Sequence, residues 1–520
     1  MQNDSELRRI AYLTVHCFFT ASSHIYTKDT HGNCSMQPAG SSAADRRHQL
    51  DRALSMLSAP SDEEKFVALS IIPKLLQSHD TEAIKRTFDK MPFKFISRLL
   101  HATQSAESLP SESLQSIAIQ IVHCFCLVDL LCARPALLKI VPLLTAAIPT
   151  QNRRNKQTIL QCLFRISATS AGHEALLQDR VLKPIASLAK SSDPNVSELA
   201  AELIKLIYSK YGISQTLSDC ILAELAPTFK ADQGLLKFQL LRLFVRVLTA
   251  TDVQKSDPTP WAMDVKSGLK DILTSKTSHQ DRTSSLFITS ILTRRFSPEW
   301  LLRQSTPSTQ SFGALVVHLA CAEVRILLDS IDLTASLSLP SATNMITDTI
   351  TDPLSSRRDH QQERHCANWE ECRRILPMCY DLFISAILFL VSESNQATLS
   401  LSADLILSLG KAMSETGVAM GAFLTDVWET YQTHKSKIII DNDITLFTLQ
   451  ALSIWLTEET AVLPSQITSI QPLILEVIQQ YTAGDLSSLP INPLSFLSPF
   501  LASITSFSDE EPQTEHSKPV

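Results

Sequence analysis

The chain has 520 residues, of which 44% are hydrophobic and 19% are charged, and its formal net charge is −7 with a pI near 6.1. This acidic balance argues against a nucleic-acid-binding protein, whose surface would be basic. Only 11 residues are glycine, and neither GxGxxG nor GxxxxGK[ST] occurs, which excludes the standard nucleotide-binding loops. We therefore expect no cofactor.

Residues 1–47 read as a flexible leader, because the composition is mixed and no sustained helical stripe occurs. The leader contains the apolar run IAYLTVHCFFTA at 10–21. A secretory signal peptide is the alternative reading of this run, but Asp4 and Glu6 stand where such signals carry positive charge. The expected compartment is the cytoplasm.

A pair of amphipathic runs at 181–207 shows the organisation of the next region, 48–331. Apolar residues recur at helical spacing in both runs, which are hinged at Asp193 and Pro194. Asp193 is predicted to cap the second helix, with Pro194 at its first position. Gly212 is a candidate stop for that helix.

Similar pairs recur along the chain, at 65–77 with 81–90, 135–148 with 156–169, 219–229 with 235–248, and 261–274 with 282–295. SDEE at 61–64 fits a helix-capping box, and an acidic-directed phosphorylation site is the alternative. The spacing of the pairs, roughly 35 to 45 residues, is typical of HEAT and armadillo repeats. The predicted fold is therefore an all-α, armadillo/HEAT-like α-solenoid of stacked helical hairpins.

The pattern is interrupted once before the chain ends. Residues 332–365 are rich in Ser, Thr and Asp and read as a disordered insertion, and 366–483 resume the solenoid. KIII at 437–440 is the best strand candidate but is short and isolated. Residues 484–520 read as a mostly disordered Pro/Ser-rich acidic tail, where a second SDEE, at 508–511, is a candidate phosphosite.

Few side chains suggest chemistry. The apolar windows 117–128 and 382–391 are too short for a membrane span. His123, Cys124, Cys126 and Cys132, like His365, Cys366, Cys372 and Cys379, offer metal-ligand types, but no CxxC pair occurs and core packing is the favoured reading. The arginine doublets at 153–154, 294–295, 357–358 and 373–374 read as solvated helix ends. No GxSxG or cysteine-protease signature occurs.

Two further predictions concern the core. Trp455 lies at helical spacing from Phe447, Ala451 and Leu452, so we expect it to be a core anchor and not a ring in a binding site. Glu323 and Arg325 interrupt an apolar helix, and each should find an oppositely charged partner on a neighbouring helix, because an unpaired buried charge is costly.

Three stretches are similar to the neurochondrin family: EKFVALSIIPKLL with IKRTFDKMPFKFISRLL (64–76 and 84–100), LVVHLACAEVRILLDS (315–330) and FTLQALSIWLTEET (447–460). The similarity covers about 48 to 483. It implies an armadillo-like cytoplasmic adaptor without catalytic activity, whose partners include kinases, cytoplasmic receptor tails and small GTPases. Family members generally continue into a further helical region, and the leader has no counterpart in the resemblance.

The functional hypothesis is a non-enzymatic, neurochondrin-like scaffold that binds protein partners along the solenoid surface, with no nucleic acid and no integral membrane span. A transport or trafficking factor that wraps cargo or a small GTPase is the second hypothesis, and an enzyme with an unrecognised site is the third. Candidate partner-binding residues are the polar positions of two helices: Glu198, Glu202, Lys205, Lys237, Arg242 and Arg246.

Overall fold

The computed structural model describes residues 43–76, 80–101, 111–209, 212–302, 311–333, 356–392, 402–435, 442–458, 464–483, 492–498 and 501. Within these ranges the regular secondary structure consists of helices, and no β-strand is present. The all-α prediction is confirmed. The contacts divide the chain into unit 1, residues 1–225, and unit 2, residues 226–520.

Unit 1 is built largely from short helices. They are α1 (Ala43–Met56), α2 (Asp62–Leu75), α3 (Thr81–Asp89), α4 (Phe93–Leu100), α5 (Ser111–Cys126), α6 (Asp129–Cys132), α7 (Pro135–Leu138), α8 (Val141–Ala147), α9 (Arg153–Ser167), α10 (Ser170–Leu176), α11 (Asp179–Ala189) and α12 (Pro194–Ile207). Helix α13 (Gln215–Ala231) contains the division between the units.

The helices of unit 1 pack in two layers. Layer 1A contains α2, α5, α9 and α12, each in contact with the next, and layer 1B contains α4, α8 and α11 in the same manner. Helix α4 also packs on α5, α8 on α9, and α11 on α12. Each helix therefore buries its apolar stripe against its hairpin partner and against the next repeat, as in a helical-repeat protein.

Unit 2 has the same plan with longer helices. They are α14 (Leu235–Ala250), α15 (Pro260–Thr274), α16 (His279–Phe296), α17 (Pro298–Leu302), α18 (Phe312–Asp329), α19 (Ser356–Val391), α20 (Ala403–His434), α21 (Asp443–Glu458) and α22 (Pro464–Thr482). Layer 2A contains α14, α16, α19 and α21, and layer 2B contains α15, α18, α20 and α22. The chain alternates between the two layers, so the predicted stack of helical hairpins is confirmed.

Polar contacts between neighbouring repeats reveal the repeat length directly. Lys190 Nζ lies 2.5 Å from a carboxylate oxygen of Glu224, 34 residues away. Lys230 reaches Asp264 at 2.8 Å with the same separation. Asn152 donates to Glu112 at 2.7 Å across 40 residues. The recurrence of contacts at 34 to 40 residues supports the repeat length that the sequence predicts.

Local signals place several helix ends as predicted. The Asp193 side chain accepts a hydrogen bond of 3.1 Å from the Asn195 amide, and Pro194 occupies the first position of α12. Helix α2 begins directly after Ser61, as the capping box requires. The predicted stop at Gly212 is wrong, because helix α12 ends at Ile207 with Tyr208 as its C-cap; Gly212, five residues after Ile207, has the positive φ of 81° that glycine accommodates without strain.

Other boundaries differ from the predictions. The run 135–148 is not one helix but α7 and α8 followed by a 3₁₀ turn, because Pro142 lacks the amide that a continuous helix needs. Helix α1 begins at Ala43, inside the predicted leader. Helix α19 begins at Ser356, inside the predicted insertion, since a polar helix segment carries no apolar stripe to reveal it. Residues 437–440 and 508–511 lie outside the described residues.

One described helical segment, Trp369–Val391 of α19, is long and apolar enough to cross a membrane, with a mean hydropathy of 1.8 in an 18-residue window. Only the last ten residues of this segment, 382–391, belong to the apolar window that the sequence predicts. More than half of that window is buried, 56%, and the helix packs against α16, α18 and α21. Its apolar character is thus used for packing within unit 2.

Candidate protein-binding surface

Three of the predicted contact residues lie on α12, in layer 1A. Glu198 and Glu202 are exposed and Lys205 is half-buried. The Lys205 ammonium donates to the Glu202 carboxylate at 2.7 Å, one turn away. The charges of Lys205 and Glu202 neutralise each other. Of these three residues, Glu198 is therefore the one with an unpaired charge on the α12 surface.

Helix α14 presents a different surface in layer 2A. Leu235, Gln239, Arg242, Arg246 and Thr249 follow one another at helical spacing and therefore share one face. All of them are exposed except Arg246, which is half-buried, and Leu235 retains 82% of its accessible surface. This face, called the α14 face below, combines an exposed leucine with two guanidinium groups one turn apart.

The guanidinium donors of the α14 face are only weakly engaged. Arg242 Nη2 lies 3.8 Å from Asp281 Oδ1 on α16, a distance that is too long for a hydrogen bond. Among the described residues, Arg246 forms no ion pair within 4 Å. By contrast, Arg153 on α9 lies 2.6 Å from Asp193. The two arginines of α14 can thus accept an anionic partner without first losing a strong internal contact.

Lys237 does not lie on this surface, which corrects its selection as a contact residue. Its side chain is 3% exposed, its ammonium donates to Asp271 at 2.8 Å, and it lies 5.8 Å from the centroid of the Phe229 ring. The helical position of Lys237 faces the neighbouring helix, and its long aliphatic stem packs there. Lys237 joins two repeats and is unavailable to a partner in this fold.

Helices α16 and α19 continue the surface of layer 2A, and here the structure adds residues that sequence reasoning missed. Phe287 of α16 is half-buried and Arg374 of α19 is exposed. Arg373 and Arg374 lie within the 36-residue helix α19 and not at a helix end, which corrects the interpretation of this doublet. With Glu370 and Glu371, they line a surface pocket of about 590 Å³. The helical stripe of α19 was the signal that could have identified Arg374.

Glu323 and Arg325 have the partners that the sequence predicts. Glu323 is buried and lies 3.9 Å from both His279 and Arg282 of α16, while the Arg325 guanidinium donates to the Glu415 carboxylate of α20. His279 also approaches Glu371 of α19 at 3.1 Å. These ion pairs join successive helices of unit 2, so their role is structural.

The described cysteines are free thiols, most of them buried in the helical cores, as the apolar pattern predicts. Burial raises the pKa of Cys124 and of Cys321 to about 11 and raises that of Cys379 further. Burial, followed by the nearby Arg165 charge, lowers the pKa of His123. These three thiols are therefore protonated and poorly nucleophilic near neutral pH. Within the described residues, no cluster of three or more His, Cys, Asp or Glu is arranged to hold a metal ion.

Trp455 is a core residue, as predicted. It is 7% exposed, and its ring centroid lies 5.9 Å from that of Phe383. A Cβ atom at Gly417 would lie 2.8 Å from Trp455 Nε1. Gly417 therefore allows α20 to approach α21 closely around this tryptophan.

The fold defines the class of an α-helical repeat protein. Comparison with known proteins gives the family: the neurochondrin model matches residues 44–515. The chain belongs to the neurochondrin family. The predicted resemblance is therefore confirmed.

Individual relatives are similar at moderate identity. The Xenopus laevis neurochondrin is 24% identical over 83% of this chain and 56% of its own length. The human neurochondrin is 28% identical over 56% of this chain and 41% of its own, and the Drosophila melanogaster neurochondrin homolog is 21% identical over 87% and 60%. The chain thus spans about half the length of these relatives.

A search of solved structures finds an engineered protein at a TM-score of 0.41 and 13% identity. The alignment covers 88% of this chain and 98% of that one.

Proposed function

We propose that the protein is a non-enzymatic cytoplasmic scaffold, active in signalling or trafficking, that binds other proteins through the outward faces of its helical layers. The observation that carries the proposal is the α14 face. Its exposed Leu235 and its two weakly engaged arginines contribute little to packing within unit 2. Arginine beside exposed apolar area is the combination that protein interfaces favour.

The thiols support the cytoplasmic compartment of this proposal. The cysteines at 124, 126, 132, 162, 220, 321, 372 and 379 are free. A chain that carries so many unpaired thiols is typical of a reducing compartment. The partner classes to test first are those that the family resemblance implies: protein kinases, cytoplasmic receptor tails and small GTPases.

Affinity capture from cell extract with the full chain tests the proposal. We expect the wild-type protein to enrich a reproducible set of proteins, and the double charge reversal of Arg242→Glu with Arg246→Glu to lose part of that set. Lys411→Glu is the matched control, because Lys411 is an exposed cation on α20 of layer 2B. Retention of the whole set by the double variant would remove the α14 face from the proposal, and a capture with no specific protein would end the proposal itself.

Two further measurements separate the alternatives. Capture of a small GTPase in only one nucleotide state would favour the trafficking factor. A broad hydrolase and transferase screen of the purified protein tests for catalysis. Turnover that contaminant controls do not account for would overturn the non-enzymatic assignment.

A further inference from the structure

Charge is distributed unevenly between the two layers of unit 2. The helices of layer 2B, α15, α18, α20 and α22, carry eight acidic side chains and four basic ones that are not buried. Helices α14 and α16 of layer 2A carry four basic side chains that are not buried, Arg242, Arg246, Arg282 and Arg294, and their one acidic side chain, Asp281, is buried. An anionic partner is therefore attracted to the α14–α16 side of layer 2A and repelled from layer 2B.

The register of layer 2A can be read from its cross-helix contacts. Arg242 of α14 stands beside Asp281 of α16. Farther along, Ser290 of α16 donates to Asp381 of α19 at 3.0 Å. Residues of α16 and α19 that lie side by side thus differ by about 91 in number. The offset places Phe287 level with the turn of α19 that follows Arg374.

Three side chains at neighbouring heights thus form a row across layer 2A, called the arginine row below. Arg246 belongs to α14, Phe287 to α16 and Arg374 to α19. Phe287 and Arg246 are half-buried and Arg374 is exposed, and neither arginine forms an ion pair within 4 Å among the described residues. Glu370 and Glu371 border Arg374, and Glu371 is engaged by His279 at 3.1 Å.

The spacing of packed helices sets the length of a matching ligand. Adjacent helices lie about 8–10 Å apart, so the axes of α14 and α19 are separated by roughly 18 Å. A peptide in the polyproline II conformation advances about 3.1 Å per residue with three residues per turn, so six residues cover this separation and the side chains at i, i+3 and i+6 share one face. An apolar residue halfway along such a peptide would lie over Phe287.

We infer that the arginine row recognises an acidic segment of a partner protein in the polyproline II conformation, in which two acidic residues stand six positions apart with an apolar residue midway between them. This inference rests on the proposed function and specifies its ligand. The carboxylates pair with Arg246 and Arg374, and the central apolar residue packs on Phe287. A phosphorylated serine or threonine in place of either acidic residue binds more tightly, because it carries more negative charge.

Fluorescence anisotropy with labelled peptides and the full chain tests the inference. The probe is a nine-residue peptide with Glu at positions 2 and 8, Leu at position 5 and Ser or Gly elsewhere. The comparison peptide has the same composition with both Glu residues adjacent. We expect the spaced peptide to bind about fivefold or more tightly than the comparison peptide, and its affinity to fall as salt is raised.

Variants assign the binding to the row. Arg246→Gln and Arg374→Gln should each weaken the spaced peptide about fivefold, while Lys411→Gln in layer 2B should leave it unchanged. Circular dichroism and thermal melting of each variant check that the fold is retained. Equal binding of both peptides, or a loss at Arg246 with none at Arg374, would overturn the inference.

The outcomes also separate the inference from the proposed function. If neither peptide binds, even in phosphoserine form, while affinity capture still enriches specific proteins, the row is not the site but the scaffold function stands. If capture finds no specific protein either, both fail.

Discussion

Units 1 and 2 bury their apolar helix faces in the same two-layer arrangement. They differ in the length of their helices and in the polar groups that join neighbouring helices. In unit 1, α6 and α7 have four residues each, whereas α19 and α20 of unit 2 have 36 and 32. A long helix contacts several neighbours along its length. A short helix makes a single contact zone, and its ends need nearby partners for their free backbone groups.

The polar links reflect this difference. In unit 1 a neutral chain of amides is buried between α5 and α9. Asn155 donates to Gln151 at 2.8 Å, Gln151 donates to Gln115, and Gln115 donates to the Leu100 carbonyl at 3.1 Å. Ion pairs join repeats in both units, as at Lys190–Glu224 in unit 1, but in unit 2 a buried carboxylate, Glu323, also takes part, with Arg282 as a partner. We therefore expect the amide chain of unit 1 to depend on every hydrogen bond being made, and the buried contacts of unit 2 to depend on close helix packing and charge.

The largest expected effect comes from breaking the amide chain of unit 1. Asn155→Ala should lower the free energy of unfolding by about 2–3 kcal/mol, because it removes the donor to buried Gln151 and leaves a small cavity. Urea titration followed by circular dichroism measures the loss. Thr158→Ala on the same helix removes only a surface hydrogen bond and should change stability by less than about 0.5 kcal/mol. Equal losses in both variants would contradict the role of the amide chain.

Close packing in unit 2 should give the next effect. Gly417→Ala should destabilise the protein by about 1–3 kcal/mol, because the added methyl group would lie 2.8 Å from Trp455 Nε1. Gly410→Ala is the matched control on the same helix. A Cβ atom there meets nothing within 4 Å, so alanine should stabilise the helix by about 0.5–1 kcal/mol. Thermal melting of the two variants should therefore shift in opposite directions, and shifts of the same sign would refute the close approach.

Buried charge in unit 2 predicts a pH dependence. Lys266 donates to the carbonyl oxygens of Trp300 and Leu301 and lies beside the rings of Trp300 and Phe312. Burial lowers the pKa of Lys266 from 10.5 to about 8. Between these two values the unfolded chain binds more protons than the folded chain. The contribution of Lys266 to stability therefore rises with pH, by at most about 1.4 kcal/mol per pH unit.

Comparison of variants isolates this contribution. The free energy of unfolding of the wild type, measured by urea titration, should increase relative to that of Lys266→Met between pH 8 and 10. Lys276→Met, at an exposed position, should parallel the wild type. A difference between the wild type and Lys266→Met that stays constant over this range would show that Lys266 titrates normally in the folded protein.

The smallest expected effect comes from the ionic links of unit 2. Glu323→Gln should cost about 1 kcal/mol or less, because its two partners lie at 3.9 Å and are partly exposed. Its cost should shrink when salt is raised, whereas the cost of Asn155→Ala should not. Glu370→Gln, which alters an exposed pair at 3.7 Å, serves as the reference. A loss of stability at Glu323→Gln that does not change with salt would contradict the ionic character of this link in unit 2.

Much of the candidate surface was predictable and part of it was not. Arg242 was predictable because residues at i, i+4 and i+7 share a helix face. Lys237 was wrongly assigned to the contact surface. A polar residue at the boundary of such a face can turn toward the next repeat when that repeat offers an acidic partner, here Asp271. Arg374 was interpreted as part of a solvated helix end, whereas it lies within helix α19, which begins at Ser356 inside the predicted insertion.

The sequence alone determined the helical content, the repeat length, several caps such as Asp193, and the need of Glu323 and Arg325 for partners. These properties depend on periodicity and on local chemistry, which a single chain displays. The tertiary structure decided which helices form each layer, which acid pairs with which base, and which arginines keep their donors available. Such pairings join residues 34 to 92 positions apart, and no local pattern specifies which of several similar helix faces will meet.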